Sequence, residues 1–158
     1  MTESRLPPFA VVLSVASLIP FFVCGLWAVR PDPAGGEVGA MPLITYGAVA
    51  LSFVGGVHWG FALEGPAAPA ERRRLGLGVL PALIGWGAAL LGLTTHPALG
   101  VAVLIAGYIA TAVVEGRGHA MELVPRGYML LRWAVTVAVV AVLTTVLVLR
   151  LIGGHLMF

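Results

Sequence analysis

The sequence predicts an all-α integral membrane bundle of five transmembrane helices, N-terminus cytoplasmic and C-terminus on the opposite side, built as a single domain over residues 1–158. Three observations carry this expectation. Hydrophobic residues make up 59% of the chain and charged ones 10%, with a mean hydropathy of +1.02, more apolar surface than a water-soluble core of this length can bury. The apolar residues gather into five runs near the ~20 residues that cross the hydrocarbon as a helix. The arginines lie mainly towards one side of the implied bilayer. A β-barrel does not fit, because the run from Ala134 to Leu149 shows none of the alternation that a barrel strand needs.

The first span covers roughly residues 8–29. Pro8 can open a helix at no hydrogen-bond cost, whereas Pro20 lies inside the run and should kink it. Met1 to Arg5 followed by an apolar run imitates a secretory leader, but the run is too long and has no small-residue cleavage site, so it reads as an uncleaved span. Cys24, the sole cysteine, lies within this span. Neither an internal disulfide nor a thiolate metal cluster can form, and the thiol reads as buried and inert. A turn-rich stretch, Pro31-Asp32-Pro33-Ala34-Gly35-Gly36, precedes the second span, 42–63, which Pro42 would open.

After Glu64-Gly65-Pro66 and the arginines Arg72, Arg73 and Arg74 comes the third span, 75–94, with Pro81 as an internal kink. The fourth, 97–114, opens at Pro97 after Thr94-Thr95-His96. A loop from Glu115 to Gly127, with Gly116-Arg117-Gly118 as loop glycines and basic residue and His119 also in the loop, leads to the fifth span, 128–149. Glu3, Asp32, Glu37, Glu64, Glu71 and Glu122 all fall in tails or loops and read as solvated.

Orientation follows from the arginines. With the N-terminus inside, Arg5, Arg72, Arg73, Arg74, Arg117, Arg126 and Arg132 lie on or near the cytoplasmic side, against Arg30 and Arg150 outside. The tail from Gly153 to Phe158 then lies on the opposite face. The net charge of +2 and the isoelectric point near 9.2 come from these scattered, acid-interleaved residues. They form no basic stripe, so no nucleic-acid partner is expected. All nine basic residues are Arg; with the abundance of Ala, Gly, Val and Pro, this usage suits a GC-rich bacterial genome and therefore the bacterial cytoplasmic (inner) membrane. Leu18-Ile19-Pro20 and Val79-Leu80-Pro81 occupy similar places in the first and third spans, and Met41-Pro42-Leu43 and His96-Pro97-Ala98-Leu99 open the second and fourth. These short matches leave open whether a hairpin was duplicated.

The second span holds the most informative stretch. Ala48, Ser52, Gly56 and Gly60 recur every four residues and form a strip of small side chains suited to close helix packing, within the fold or between subunits. At 100° per residue His58 lies on another face, shared with Gly47, Leu51, Gly55 and Phe61. It sits about 7.5 Å inside the cytoplasmic end by helical rise, where an ionisable group should face protein or water. Arg132, about one and a half turns into the fifth span, Tyr128 one turn before it, and Glu115 at the end of the fourth span lie at comparable depth. His58, Trp59, Glu115, Tyr128 and Arg132 are thus a candidate polar cluster or ligand site, with an Arg132–Glu115 ion pair at its centre. The bland alternatives are an interior histidine satisfied by one acceptor and an arginine that snorkels to the headgroups.

No catalytic residue set and no metal site are legible. A serine-nucleophile motif, paired histidines on one helical turn, a phosphate-cradling glycine loop with lysine, and an intramembrane acid pair are all missing from the sequence. Haem is disfavoured because His96 and His155 belong to the far side and His119 to a loop, so none pairs with His58.

The run from Tyr46 to Gly60, with Gly55-Gly56-Val57-His58-Trp59-Gly60 at its end, resembles the hallmark of a family of small bacterial and mitochondrial multipass membrane proteins, domain of unknown function 3429 (transmembrane protein 69-like). Leu18-Ile19-Pro20, Leu80-Pro81, and Tyr128 with Leu131-Arg132 resemble it too, so that nearly the whole chain is covered. The resemblance implies this architecture and weight on His58, Trp59 and Arg132; it names no substrate and no cofactor.

Three functional classes remain. The first is a non-enzymatic accessory, assembly or scaffold component that associates with other membrane proteins or forms a homo-oligomer, motivated by the small-residue strip and the lack of a catalytic set. The second is a protein that binds a quinone, lipid or other amphiphile near the cytoplasmic leaflet at His58 and Arg132. The third, a small transporter, is weakened by the scarcity of interior polar groups to line a path.

Overall fold

A computed structural model describes residues 7–30, 33–63, 69–119 and 126–156. Six helices account for nearly all of them: α1 (Pro8–Ala16), α2 (Ile19–Ala28), α3 (Pro33–Leu63), α4 (Pro69–Thr94), α5 (Pro97–His119) and α6 (Arg126–Leu156). No strand occurs among the described residues. Among the described residues, five stretches are long and apolar enough to cross a membrane: Pro8–Ala28, Gly39–Gly60, Leu75–Thr94, Pro97–Arg117 and Gly127–Gly153. The protein is therefore a multipass membrane protein whose surroundings are a lipid bilayer. Its broad exterior of uncovered Leu, Val, Phe and Trp side chains suits hydrocarbon rather than water.

The kink expected at Pro20 falls at Ser17 and Leu18, where the helix is interrupted although both residues keep right-handed helical backbone. Pro20 has no N–H to give the carbonyl one turn back and its ring crowds that turn, so α1 ends at Ala16 and α2 starts at Ile19. The Ser17 carbonyl at the break accepts a hydrogen bond from the Tyr46 hydroxyl of α3 at 2.8 Å, which satisfies backbone that lipid could not. Only α2 joins the bundle closely: it buries Phe21, Gly25 and Ala28, whereas α1 buries none of its residues.

Several element boundaries differ from expectation. Pro42 does not open a helix; it lies inside α3, which begins at Pro33. The turns before Pro42 are held by packing, since Ala40 is fully buried and a Cβ on Gly39 would lie 2.9 Å from the Trp27 carbonyl. Residues 34–36 and Glu37, expected in a turn, are helical in α3, and Glu71 and Arg72–Arg74, expected in a loop, are helical in α4. Glu115 does not close its helix: α5 continues through Gly116, Arg117 and Gly118 to His119. The helix α6 extends beyond Leu149, through Arg150 and Gly153, to Leu156. Glu3, Arg5, Asp32, Glu64 and Glu122 lie outside the described residues.

The central element is α3, which packs against α2, α4 and α5; α6 closes the bundle against α5 and α2, and α1 makes a small contact with α6. The α3–α4 contact is the most extensive, and it is an antiparallel seam of small residues. A Cβ on Gly85 would lie 2.8 Å from the Ala48 carbonyl oxygen, and two turns away a Cβ on Gly55 would collide with the Gly78 carbonyl. Ala48 and Gly55 thus face Gly85 and Gly78 in step.

Within the fold, only part of the strip read from the sequence lies in this seam. Ala48 packs as expected, and Ser52 is half-buried with its hydroxyl bonded to the Ala48 carbonyl at 2.8 Å. Gly56 and Gly60, however, are exposed, and a Cβ on either would meet nothing within 4 Å. The four-residue spacing drifts about 40° per step around a helix, so Gly56 and Gly60 rotate away while Gly55, seven residues from Ala48, returns to the same face.

Candidate functional site

Three ionisable side chains from three different helices meet at one end of the bundle. Glu115 on α5 is the hub: its Oε2 accepts from Arg132 Nε on α6 at 2.9 Å, and its Oε1 lies 3.2 Å from His58 Nε2 on α3. Their exposures are 5% for His58, 3% for Glu115 and 5% for Arg132, so snorkelling is set aside for Arg132, while His58 matches the plain alternative, an interior histidine satisfied by one acceptor. Arg132 turns inward to a carboxylate instead of snorkelling, and His58 is held by an acid. The Glu115 carboxylate directly answers the guanidinium charge of Arg132, the pairing that a low-dielectric interior requires of a buried charge.

Two threonines complete the shell. Arg132 Nη2 donates to Thr111 Oγ1 at 3.1 Å, and Nη1 donates to Thr136 Oγ1. Each threonine hydroxyl in turn donates into its own helix: Thr136 to the Arg132 carbonyl at 2.8 Å, and Thr111 to the carbonyl of Gly107 at 2.9 Å or of Tyr108 at 3.1 Å. A guanidinium has five N–H groups; three of them serve Glu115, Thr111 and Thr136. Tyr108, one more turn along α5, is buried to 2% exposure and its hydroxyl donates to the Gly47 carbonyl of α3 at 2.9 Å.

Thr111, Thr136 and Tyr108 were not singled out from the sequence, although a signal existed. Thr111 precedes Glu115 by four residues and Thr136 follows Arg132 by four, so each pair shares a helical face. Of the five residues expected at the site, the structure brings His58, Glu115 and Arg132 into direct contact. Tyr128 is half-buried one turn before Arg132 and lines the same cavity as Arg132. Trp59 does not join them: it is 46% exposed, points along the α3–α4 seam over Gly78, and donates from Nε1 to the Leu75 carbonyl at 3.2 Å. One residue after His58 is 100° around the helix, enough to carry Trp59 to a different neighbour.

Beside the cluster lies a cavity of about 420 Å³ between α1–α2, α3 and α6, within the usual size range of small-molecule sites. Its walls are mostly apolar, including Leu13, Phe21, Val54 and Val139; Arg132 is the charged residue among them, with Tyr46, Tyr108 and Tyr128 nearby. The helix α1, which buries none of its residues, supplies one wall of the cavity through Leu13 and Ser14. Its rim carries Leu13 at 54% and Phe53 at 76% exposure, so it opens sideways into lipid. On the other flank a smaller cavity of about 100 Å³ reaches His58, Thr111 and Glu115 between α4 and α5. The polar cluster therefore forms a wall between two clefts. No group of three or more His, Cys, Asp or Glu residues able to hold a metal ion occurs among the described residues.

A family profile described as a protein of unknown function, DUF3429, matches residues 6–148. Transmembrane protein 69 of the frog Xenopus tropicalis is 40% identical over 82 residues, covering 51% of this chain and 32% of the frog protein. The chain thus spans about a third of the length of that relative. No solved structure matches the chain.

Proposed function

The chain belongs to the DUF3429 family, and from its geometry we propose that it is a non-enzymatic binding protein that takes an amphiphile from the bilayer into the cleft between α1–α2, α3 and α6. The observation that supports this reading is the cleft itself: apolar walls open to lipid, with one guanidinium, Arg132, at its polar part. Arg132 lies five residues inside the span that begins at Gly127, about 7.5 Å from its end by helical rise. That depth suits a headgroup just below the interface with its tail running along α1 and α3. Because the arginine distribution favours a cytoplasmic N-terminus, we place the site in the cytoplasmic leaflet of the bacterial inner membrane, within a single five-helix domain. A reporter fused at the C-terminus would test the orientation and should be active only on the non-cytoplasmic side.

The test of binding is native mass spectrometry on protein extracted with its lipid, followed by Arg132→Ala and the cleft-filling Ala50→Trp. The wild type should retain a bound amphiphile and both variants should lose it. An empty wild type, or a ligand retained by both variants, would overturn the reading.

A second reading has its own support. Gly56 and Gly60 face outwards with open space beside them, and a helix surface of that kind accepts a close partner backbone in lipid. This favours association with another membrane protein or a second copy. Purification in mild detergent should then recover a stoichiometric partner that Gly56→Leu with Gly60→Leu displaces, and a strictly monomeric, partner-free protein would count against it.

A further inference from the structure

We infer that the amphiphile held in the cleft carries a neutral, hydrogen-bond-accepting headgroup, a carbonyl of the quinone or acyl-ester kind, and that Glu115 is the residue that sets this preference. The inference rests on the binding reading above and adds the chemistry of the ligand.

The charge arrangement carries it. Arg132 is the charged residue among the lining of the cleft and by itself would invite a phosphate or carboxylate. Its charge is already answered, because Glu115 Oε2 lies 2.9 Å from its Nε and both side chains are almost wholly buried. A second anion on the cleft side of the guanidinium would leave the pair and ligand with an uncompensated negative charge. That charge would sit close to Glu115, where little water screens it. A carbonyl oxygen meets no such penalty and needs only one of the N–H groups not used by Glu115, Thr111 and Thr136.

Three further polar groups that line the cleft, Ser17, Tyr46 and Tyr108, point the same way. A buried anion requires several donors. The Tyr46 hydroxyl donates to the Ser17 carbonyl, the Tyr108 hydroxyl to the Gly47 carbonyl, and the Ser17 hydroxyl to the Ser14 carbonyl. With their protons committed, these three hydroxyls offer the cleft oxygen lone pairs rather than donors. His58 does not restore the balance towards an anion. It stands behind Glu115, on the flank of the second, smaller cavity.

The test compares ligands of equal tail and different head. The full chain in zwitterionic nanodiscs is titrated with a decyl benzoquinone, monodecanoylglycerol, decanoate and decyl phosphate, and occupancy is read by native mass spectrometry. The wild type should bind at least one neutral probe about tenfold or more tighter than either anion, and the quinone against the glyceride identifies the source of the carbonyl. In Glu115→Gln the anions should gain about tenfold relative to the neutral probes. Anions bound as tightly as neutral probes by the wild type would overturn the inference while leaving a working cleft. A folded Glu115→Gln that keeps the neutral preference would overturn the role of Glu115; should that variant not fold, the wild-type ratio alone decides. Failure of all four probes, or equal binding by Ala50→Trp, would instead overturn the binding reading itself.

Discussion

Replacing Glu115 by Gln keeps the shape of the side chain and one carbonyl oxygen but removes the charge that answers Arg132. With Glu115 at 3% and Arg132 at 5% exposure, the orphaned guanidinium cannot reach bulk water without dismantling the contact. Breaking a buried pair by removing one partner costs about 3–5 kcal/mol, which for a chain of this size corresponds to roughly 6–20 °C in Tm. The double variant Glu115→Gln with Arg132→Gln removes both charges together, and should return to within about 2 kcal/mol of the wild type, because replacing a whole buried pair is far cheaper than halving it. Reversible unfolding in mixed detergent micelles, run as a double-mutant cycle, measures the difference. A coupling of about 2 kcal/mol or more is expected for side chains 2.9 Å apart. Effects that add to within about 0.5 kcal/mol would mean that the two groups do not interact, and that Arg132 lies among the headgroups instead.

Three further outcomes follow from the packing. Gly55→Ala should destabilise by about 1–3 kcal/mol through collision with the Gly78 carbonyl, while Gly56→Ala, with nothing in its way, should be neutral or stabilising by up to about 1 kcal/mol; equal melting temperatures would refute the seam. Thr111→Val should cost about 1–3 kcal/mol because Arg132 Nη2 loses its acceptor, and Thr111→Ser should recover most of it; a stable Thr111→Val would show that the hydroxyl is not needed. Pro20→Ala should join α1 to α2, shorten the distance between spin labels at Leu13 and Val139 across the cleft in pulsed electron resonance, and lower probe occupancy; an unchanged distance would trace the break to a cause other than the proline.

What the sequence by itself determined is the local part of this protein. Five spans follow from apolar run length, because each run must satisfy its own backbone in lipid whatever its neighbours are. The break near Pro20 follows from a missing N–H, and the common depth of His58, Glu115 and Arg132 follows from their distance to the span ends. Helix ends were less legible. Pro42 and Gly116-Arg117-Gly118 look like punctuation in one dimension, yet the packing of Gly39 and Ala40 on α2 and the anchoring of Glu115 carry α3 and α5 through them.

Only the tertiary structure decided which faces meet. A rotation of 100° separates Gly55 from Gly56 and His58 from Trp59, and nothing within a single helix says which angle points at a neighbour. That angle gives Gly55 the seam, His58 the carboxylate, and Trp59 the Leu75 carbonyl. The cleft was invisible for a stronger reason. It is a space enclosed by residues of several helices, and hydropathy, which scores what a residue prefers, cannot register a gap that only their arrangement creates.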